Sequence, residues 1–541
     1  MLALVFLLSL AATGPQQHDA HAPAAERPAV LMSGLGRLHH PIATRSPEAQ
    51  RFFDQGLTLV YGFNHEEAVR AFRRAAALDP ASPMPHWGIA LALGPNINLD
   101  VDPEREHAAN DEAQRARTLA AAAPAAERAY VDALIKRYSN DPKADRHALA
   151  VQYTDAMRDL VTHYPDDLDA ATLFAESLMD LNPWRLWSAD GTPGDGTEEL
   201  VAALESVLRR DPTHIGANHY YIHAVEASKS ADRALPSAKR LETLVPAAGH
   251  LVHMPAHIYM RTGNYQGAVT SNARAAEVDR AYIKARGADG LYPSMYYNHN
   301  LDFLASAAMM SGQFKQAKQA ADLVVANTTP MLATMPMLEP FGAKTIYVLV
   351  RFARWDEMLR LPPPDAKHAL LTAMSHFGRA VAQAARGNVA AAEQERAAYA
   401  QARKAVPPDS DWGYNKAKDM LPIAGAAIDG WIARARRDDE AAMAAWRRAV
   451  AAEDLTSYDE PPDWFYPTRE SLGAALLRAA RVDEAAQVFR DDLARNPGNG
   501  RSLYGLWQAQ LAAKDPAAAA TGKRFKAAWS HADVTLRIAD F

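Results

Sequence analysis

The chain has 541 residues, enough for several domains or one elongated repeat array, and its 49% hydrophobic and 23% charged residues are typical of a globular protein. A formal net charge of −6, with no concentrated Lys/Arg stripe, argues against nucleic acid as a partner. The absence of cysteine excludes disulfides, iron–sulfur clusters, Cys-ligated zinc and a lipoprotein anchor, and leaves His, Asp and Glu as the strong metal ligands.

The first residues have the pattern of an export signal. Residues 1–12 (MLALVFLLSLAA) form an apolar run that is too short to span a bilayer but resembles the hydrophobic region of a secretory signal, although no basic residues precede it. No later stretch is apolar over about 18 residues, so no transmembrane segment is predicted. We therefore expect an exported, periplasmic protein, in which a linker rich in Pro and Ala covers residues 13–45.

A regular alternation of small and large residues begins after Ser46-Pro47, a pair that predicts a helix start. The first unit carries Phe52, Gly56, Ala68, Phe72, Ala75 and Pro80. Comparable groups recur along the chain, for example Leu200, Leu204, Val207 and Pro212, and later Gly473, Ala485, Phe489 and Pro497. The pattern resembles the tetratricopeptide repeat (TPR) family, whose units of 34 residues each form a helix-turn-helix.

This resemblance implies an all-α, right-handed solenoid of about a dozen helix pairs over residues 46–541, with residues 327–340 as the point where it could divide. The segments Trp87-Gly88 and Gly94–Asn98 (GPNIN) are similar to a group of exported bacterial TPR proteins of this length. The second resemblance implies a fold and a compartment, but no reaction.

Several connections are longer than a tight turn, and long loops in repeat arrays often bind a ligand. These connections are residues 182–196, 281–294, 327–340, 406–415 and 454–467. Aromatic residues populate them: Trp184, Trp187, Trp412, Tyr414, Trp464, Phe465 and Tyr466. The rings can serve a ligand, or they can simply cover exposed helix ends.

The strongest functional pattern is a doubled His-x-x-x-His motif. His219 and His223 form one pair, and His253 and His257 form another pair 34 residues later. Residues four apart lie on the same face of a helix, and equivalent positions of adjacent repeats lie side by side. Aligning residues 215–230 with 249–264 matches only these histidines, which argues against recent duplication as their origin.

TPR proteins generally bind ligands through positions 2, 5, 9 and 12 of the first helix of each repeat, on the concave face. In that frame the concave line of this chain carries His219, His223, Glu226, His250, His253, His257, His299, Asp302 and Glu176. Imidazole is a good ligand for Zn, Cu and Fe, and carboxylates can complete such a site. We expect side chains on this line to contribute little to the packing of the array.

Three functions are compatible with this pattern. The first is an exported binding protein whose His-lined groove holds a transition metal (Zn, Cu or Fe) and receives a protein or peptide partner. The second is a metalloenzyme that uses the same residues for hydrolysis or redox chemistry. The third is a metal-free polar groove that docks a peptide, with the histidines as hydrogen-bonding groups.

Overall fold

The computed structural model describes residues 29–541, so the expected export signal and the first part of the expected linker lie outside it. The described residues form an all-α solenoid of the TPR type, in which consecutive helices pack together as pairs. One small element interrupts the helices, an antiparallel hairpin of strands β1 (Asp411–Trp412) and β2 (Asn415–Lys416).

The helices of the first half are α1 (Pro47–Tyr61), α2 (His65–Leu78), α3 (Met84–Leu93), α4 (Pro103–Ala120), α5 (Ala125–Leu134), α6 (Arg146–His163), α7 (Leu168–Leu181), α8 (Thr197–Arg210), α9 (Ile215–Glu226), α10 (Leu235–Leu244), α11 (Gly249–His253), α12 (Pro255–Thr262) and α13 (Tyr265–Arg286). Those of the second half are α14 (Tyr297–Met310), α15 (Phe314–Thr328), α16 (Lys344–Arg351), α17 (Trp355–Arg360), α18 (Ala369–Ala385), α19 (Val389–Ala405), α20 (Ala417–Ala435), α21 (Asp439–Glu453), α22 (Thr468–Arg478), α23 (Val482–Arg495), α24 (Gly500–Ala512) and α25 (Ala518–Ala528).

The small and large residues of the repeat pattern fit the helices together. A Cβ atom added to Gly56 or Gly88 would lie within 2.6 Å of the Phe72 ring, so both glycines leave room for that ring between α1, α2 and α3. Near the other end of the solenoid, Phe489 lies between Gly473 and Gly505 in the same way. Larger side chains at these glycines would therefore force the helices apart.

Helix α1 begins where the sequence predicts, and the segment that precedes it contacts the rest of the solenoid. The Ser46 hydroxyl accepts a hydrogen bond from the Ala49 amide at 3.2 Å and caps α1, as the Ser-Pro pair predicts. Within residues 29–45, which belong to the expected linker, the Met32 amide donates to Gln55 Oε1 at 2.7 Å. The amide of Ala247 donates to the Gly34 carbonyl at 3.0 Å, so this segment reaches across to the middle of the chain.

Three regions differ in detail from the sequence prediction. Helix α13 continues to Arg286, so the connection expected at 281–294 is shorter than predicted, and a π-helical turn at Tyr292–Tyr296 leads into α14. The helix expected to carry the second His pair is divided into α11 and α12 at Pro255, which has no backbone N–H to donate. Residues 336–343 form a 3₁₀ helix that packs on α15 and α18.

The winding of the solenoid brings distant repeats into contact. Helix α1 contacts α9, α9 contacts α12, α12 contacts α11, and α11 contacts α14. The turn after α1 therefore lies against the helices that carry the His pairs. None of the described helices is both long enough and apolar enough to cross a bilayer.

Candidate metal centre

Six histidines from four inner helices converge in the middle of the chain, and we call them the His centre. They are His219, His223, His250, His253, His257 and His299. Five of these side chains are 0–4% exposed, and His299 is half-buried. The sequence prediction that concave residues are free of packing therefore does not hold for the His centre.

Two of the rings are oriented through Nδ1 by neutral acceptors. His219 Nδ1 lies 2.6 Å from the Tyr61 carbonyl oxygen, which can only accept a hydrogen bond. His253 Nδ1 lies 2.6 Å from Asn272 Oδ1, and the amide of Asn272 donates to the Ala268 carbonyl. Both imidazoles therefore carry their proton on Nδ1 and keep a lone pair on Nε2.

A single carboxylate orients two further rings. Glu226 Oε1 lies 2.7 Å from His223 Nδ1, and Glu226 Oε2 lies 2.5 Å from His257 Nδ1. Burial alone would raise the pKa of Glu226, but His257 and His223 hold it well below its usual range. The ionised carboxylate accepts from both rings, so in the neutral form of each ring the lone pair is on Nε2. Tyr458 donates to the same carboxylate at 3.0 Å.

The Nε2 atoms point toward one another. Nε2 of His253 lies 2.8 Å from Nε2 of His257, although both rings hold their proton on Nδ1. Two lone pairs cannot form a hydrogen bond, so this distance requires a proton or a cation between them. Nε2 of His219 lies 3.2 Å from Nε2 of His250, and Nε2 of His223 has no hydrogen-bond partner.

Protonation of these rings is disfavoured by their surroundings. Burial lowers the pKa values of His219, His250 and His253 well below their usual range, and neighbouring imidazoles lower them further. Burial, together with His257, lowers the pKa of His299 to about 3. For these four histidines the neutral imidazole, which is the metal-binding form, is therefore the favoured state.

Aromatic side chains cover the His centre, so the imidazoles do not line the open groove that the sequence predicts. Phe63, in the turn after α1, lies 4.6 Å from the His219 ring and 5.2 Å from the His250 ring, measured between centroids. Its φ of +55° is unusual for a residue other than glycine. Trp184, from the loop at 182–196, contacts the His223 ring at 5.3 Å.

Two acidic residues of the predicted concave line lie outside the His centre. Glu176 is buried among Arg137 and Asp180, and Arg137 pairs with Asp180. Asp302 forms an ion pair with Lys344 at 2.7 Å. The cations beside them, Arg137 and Lys344, come from other helical segments, which the repeat frame does not identify.

A second group with metal-ligand chemistry is internally satisfied. His40 Nδ1 lies 2.9 Å from Asp169 Oδ2, and Tyr61 donates to the other oxygen of Asp169 at 2.7 Å. Asp167 caps α7 and accepts from the Tyr130 hydroxyl at 2.9 Å. These contacts make a structural network that joins the segment before α1 to α7.

Sequence reasoning missed Tyr61, Phe63 and Asn272, which position or cover the imidazoles. Asn272 lies on the outer helix α13, and Tyr61 and Phe63 lie more than 150 residues before His219, so no local spacing connects them. Tyr458 lies in the loop 454–467, which the sequence marks as long and aromatic. The length and aromatic content of this loop are the one feature of the sequence that points to Tyr458.

No protein-family model matches the chain, and no curated protein matches its sequence. Among solved structures, yeast Tom70 is similar at 10% identity and a TM-score of 0.28, covering 88% of this chain and 93% of Tom70. A human IFIT1 dimer with m7Gppp-AAAA gives 11% identity and a TM-score of 0.33, and one with PPP-AAAA gives 11% and 0.31, each covering 90% of this chain and 91% of IFIT1. These similarities are too weak to indicate a function.

Proposed function

We propose that this chain is an exported TPR-type protein that binds a transition metal in the His centre. The observation that supports this most directly is the 2.8 Å separation of the two lone-pair nitrogens of His253 and His257. Two imidazoles bound to one ion at ~2.0–2.1 Å would hold their nitrogens ~2.8–3.4 Å apart, for angles between a right angle and a tetrahedral one.

A shared proton is the competing explanation for this close approach. It would place an imidazolium in a buried cluster of other imidazoles, where burial and neighbouring His257 and His299 already hold the pKa of His253 far below its usual range. Of the carboxylates near these rings, Glu226 accepts hydrogen bonds from Nδ1 of His223 and of His257, on the side of each ring opposite Nε2. A metal cation satisfies the lone pairs directly, and the outer hydrogen bonds are those that orient ligating histidines in metalloproteins.

The ligand set narrows the choice of metal. Nitrogen donors without thiolate favour Zn, Cu or Fe over Mg and Ca, which prefer oxygen ligands. Glu226 would act as the orienting carboxylate and not as a ligand, because both of its oxygens are already engaged by imidazole N–H groups. Export is proposed from the apolar run at residues 1–12, which lies outside the described residues.

One observation favours a metalloenzyme as the second candidate. Glu460 Oε1 is buried without a hydrogen-bond partner, while Glu460 Oε2 accepts from Tyr458, which also donates to Glu226. A carboxyl group and a phenol beside a bound metal are suited to moving protons during hydrolysis. We also propose a protein or peptide partner, on the basis of the TPR-type fold. The His centre itself is buried beneath aromatic side chains.

Metal analysis of the purified protein tests the proposal. The chain is expressed in medium containing Zn, Cu, Fe, Mn and Ni, and its metal content is measured after gel filtration. We expect at least one tightly bound transition-metal ion per chain, and its removal by chelator should lower the melting temperature. Background metal content together with no uptake on titration would contradict it.

The variant His86→Ala is the matched control. His86 is 9% exposed and its Nδ1 lies 2.6 Å from Glu112, so it resembles the ligands in burial and in its carboxylate partner. It is not among the clustered imidazoles. Metal content should therefore be unchanged in His86→Ala and reduced in His257→Ala.

A further inference from the structure

The six histidines fall into two sets of three with the same construction. The first triplet is His219, His223 and His250, and the second triplet is His253, His257 and His299. Each combines an i, i+4 pair with one histidine in the first turn of the next inner helix, His250 in α11 and His299 in α14. We infer that the His centre holds two metal ions, one in each triplet, an inference that rests on the proposed metal-binding function.

The two triplets also have similar dimensions. In the first triplet the ring centroids are separated by 4.9, 5.0 and 6.3 Å, and in the second by 4.7, 4.9 and 5.9 Å. In each triplet one nitrogen from every ring can be chosen so that all three lie within 4.8 Å of one another. Three imidazoles with an open fourth position are a common protein ligand set for zinc.

A single ion would leave the other triplet unsatisfied. A tetrahedral ion accepts at most four nitrogens, so at least two of the six rings would lie outside its ligand set. In the first triplet, His223 Nε2 and His250 Nδ1 already lack a hydrogen-bond partner. In the second, the facing nitrogens of His253 and His257 need a proton or a cation between them.

Glu226 links the two triplets. One of its oxygens accepts from His223, in the first triplet, and the other accepts from His257, in the second. The rings of these two histidines are 5.1 Å apart. One carboxylate therefore fixes the tautomer of a ligand in each triplet, which is the arrangement expected if both triplets bind metal together.

Counting Co²⁺ ions on the chelator-treated full chain tests the inference. The wild-type protein should retain two ions per chain after gel filtration. His250→Gln should retain one, and so should His299→Ala, while the double variant should retain none. These two positions are chosen because neither ring is held through Nδ1 by a neighbouring acceptor, so their loss breaks few contacts. His86→Ala should retain two.

The outcomes distinguish a failure of the two-ion inference from a failure of the proposed metal-binding function. One ion per wild-type chain would overturn the two-ion inference while leaving the metal-binding function intact, and no ion would overturn both. Loss of both ions in each single variant, with helicity by circular dichroism unchanged, would mean that the triplets are not separate sites. If a variant does not fold, the wild-type count and the number of Co²⁺ equivalents at which the absorption of the wild-type protein saturates still decide the question.

Discussion

Two buried polar clusters lie within the same solenoid and satisfy their charges differently. In the His centre, lone pairs face one another and the orienting hydrogen bonds are all on the outer side of the rings. In the second half of the chain, Arg351 makes a two-point ion pair with Glu470, and Arg501 Nε lies 2.9 Å from the same carboxylate. We call Arg351, Glu470, Arg501 and the adjoining Asp492 the Arg–Glu network. These four residues are 0–5% exposed.

The difference indicates which cluster is structural. In the Arg–Glu network each carboxylate faces donors of the same chain: Asn499 donates to Glu470 at 2.8 Å and to Asp492 at 2.7 Å. Burial would raise the pKa of Glu470, but Arg351 and Arg501 hold it below its usual range. The carboxylates of the network are thus paired with donors of the same chain, whereas the facing nitrogens of His253 and His257 require a proton or a cation between them.

Removing the central carboxylate of the Arg–Glu network should have the largest effect. Glu470→Ala leaves two buried guanidinium groups without their partner, and we expect the free energy of unfolding to fall by ~3–5 kcal/mol. Chemical denaturation with and without chelator measures this, and the loss should be the same in both.

The matched control is Glu199→Ala, which removes the partner of Arg158 in an exposed ion pair. The expected cost there is below ~1 kcal/mol. Equal effects at Glu470 and Glu199 would show that the Arg–Glu network does not stabilise the fold.

The pH dependence of stability should report Asp492. Burial, together with Glu470, raises the pKa of Asp492 to about 6. The folded state then binds a proton more tightly than the unfolded state, so this residue's contribution is largest at low pH and falls as the pH rises from about 4 to 6. Relative to wild type, Asp492→Asn should gain ~2–3 kcal/mol of stability across that window.

The measurement is chemical denaturation of the chelator-treated proteins at several pH values. Asp491→Asn is the neighbouring control, because Asp491 is exposed on α23. A difference between Asp492→Asn and wild type that does not change with pH would contradict the assignment.

In the His centre, loss of the orienting carboxylate should weaken metal binding more than it disturbs the fold. Glu226→Gln keeps the size of the side chain, but it can no longer accept a full hydrogen bond from both His223 and His257. Loss of such outer partners typically lowers metal affinity ~10–100-fold. Competition against a chromophoric chelator measures this, with Glu112→Gln, beside His86, as the control; unchanged affinity would show that Glu226 does not orient ligands.

The smallest effect is expected from residues before the described part of the chain. Deleting residues 14–28, which include His18 and His21, should change neither metal content nor helicity, because the imidazoles of the His centre all lie between residues 219 and 299. Circular dichroism and metal analysis check this, and a loss of metal would move the site toward the N-terminus.

The sequence predicts the fold and the six histidines of the His centre, because both depend on spacing. The 34-residue interval places His219 and His223 beside His253 and His257, and the concave frame adds His250 and His299. It does not predict that the centre is buried, since Phe63 and Tyr61 reach it only through the winding of the whole solenoid. Burial matters for the chemistry of the centre, because it lowers the pKa values of the imidazoles. It also makes a nitrogen without a hydrogen-bond partner unfavourable in free energy.

Long-range contacts also explain why Glu176 and Asp302, which the sequence places on the concave line, lie outside the His centre. Glu176 shares the concave line, yet it is buried beside Arg137, from the segment after α5, and burial raises its pKa. Such partners depend on which neighbouring helix supplies a charge, and the spacing within one repeat does not contain that information.

The most direct test of the central claim is X-ray absorption at the metal edge of the purified, metal-loaded protein. Our interpretation predicts a shell of nitrogen neighbours at ~2.0–2.1 Å, with the outer scattering of at least three imidazole rings per ion. The signal should lose imidazole scattering in His257→Ala and should be unchanged in His86→Ala. A shell made only of oxygen, or a spectrum identical in wild type and His257→Ala, would contradict metal binding by the His centre.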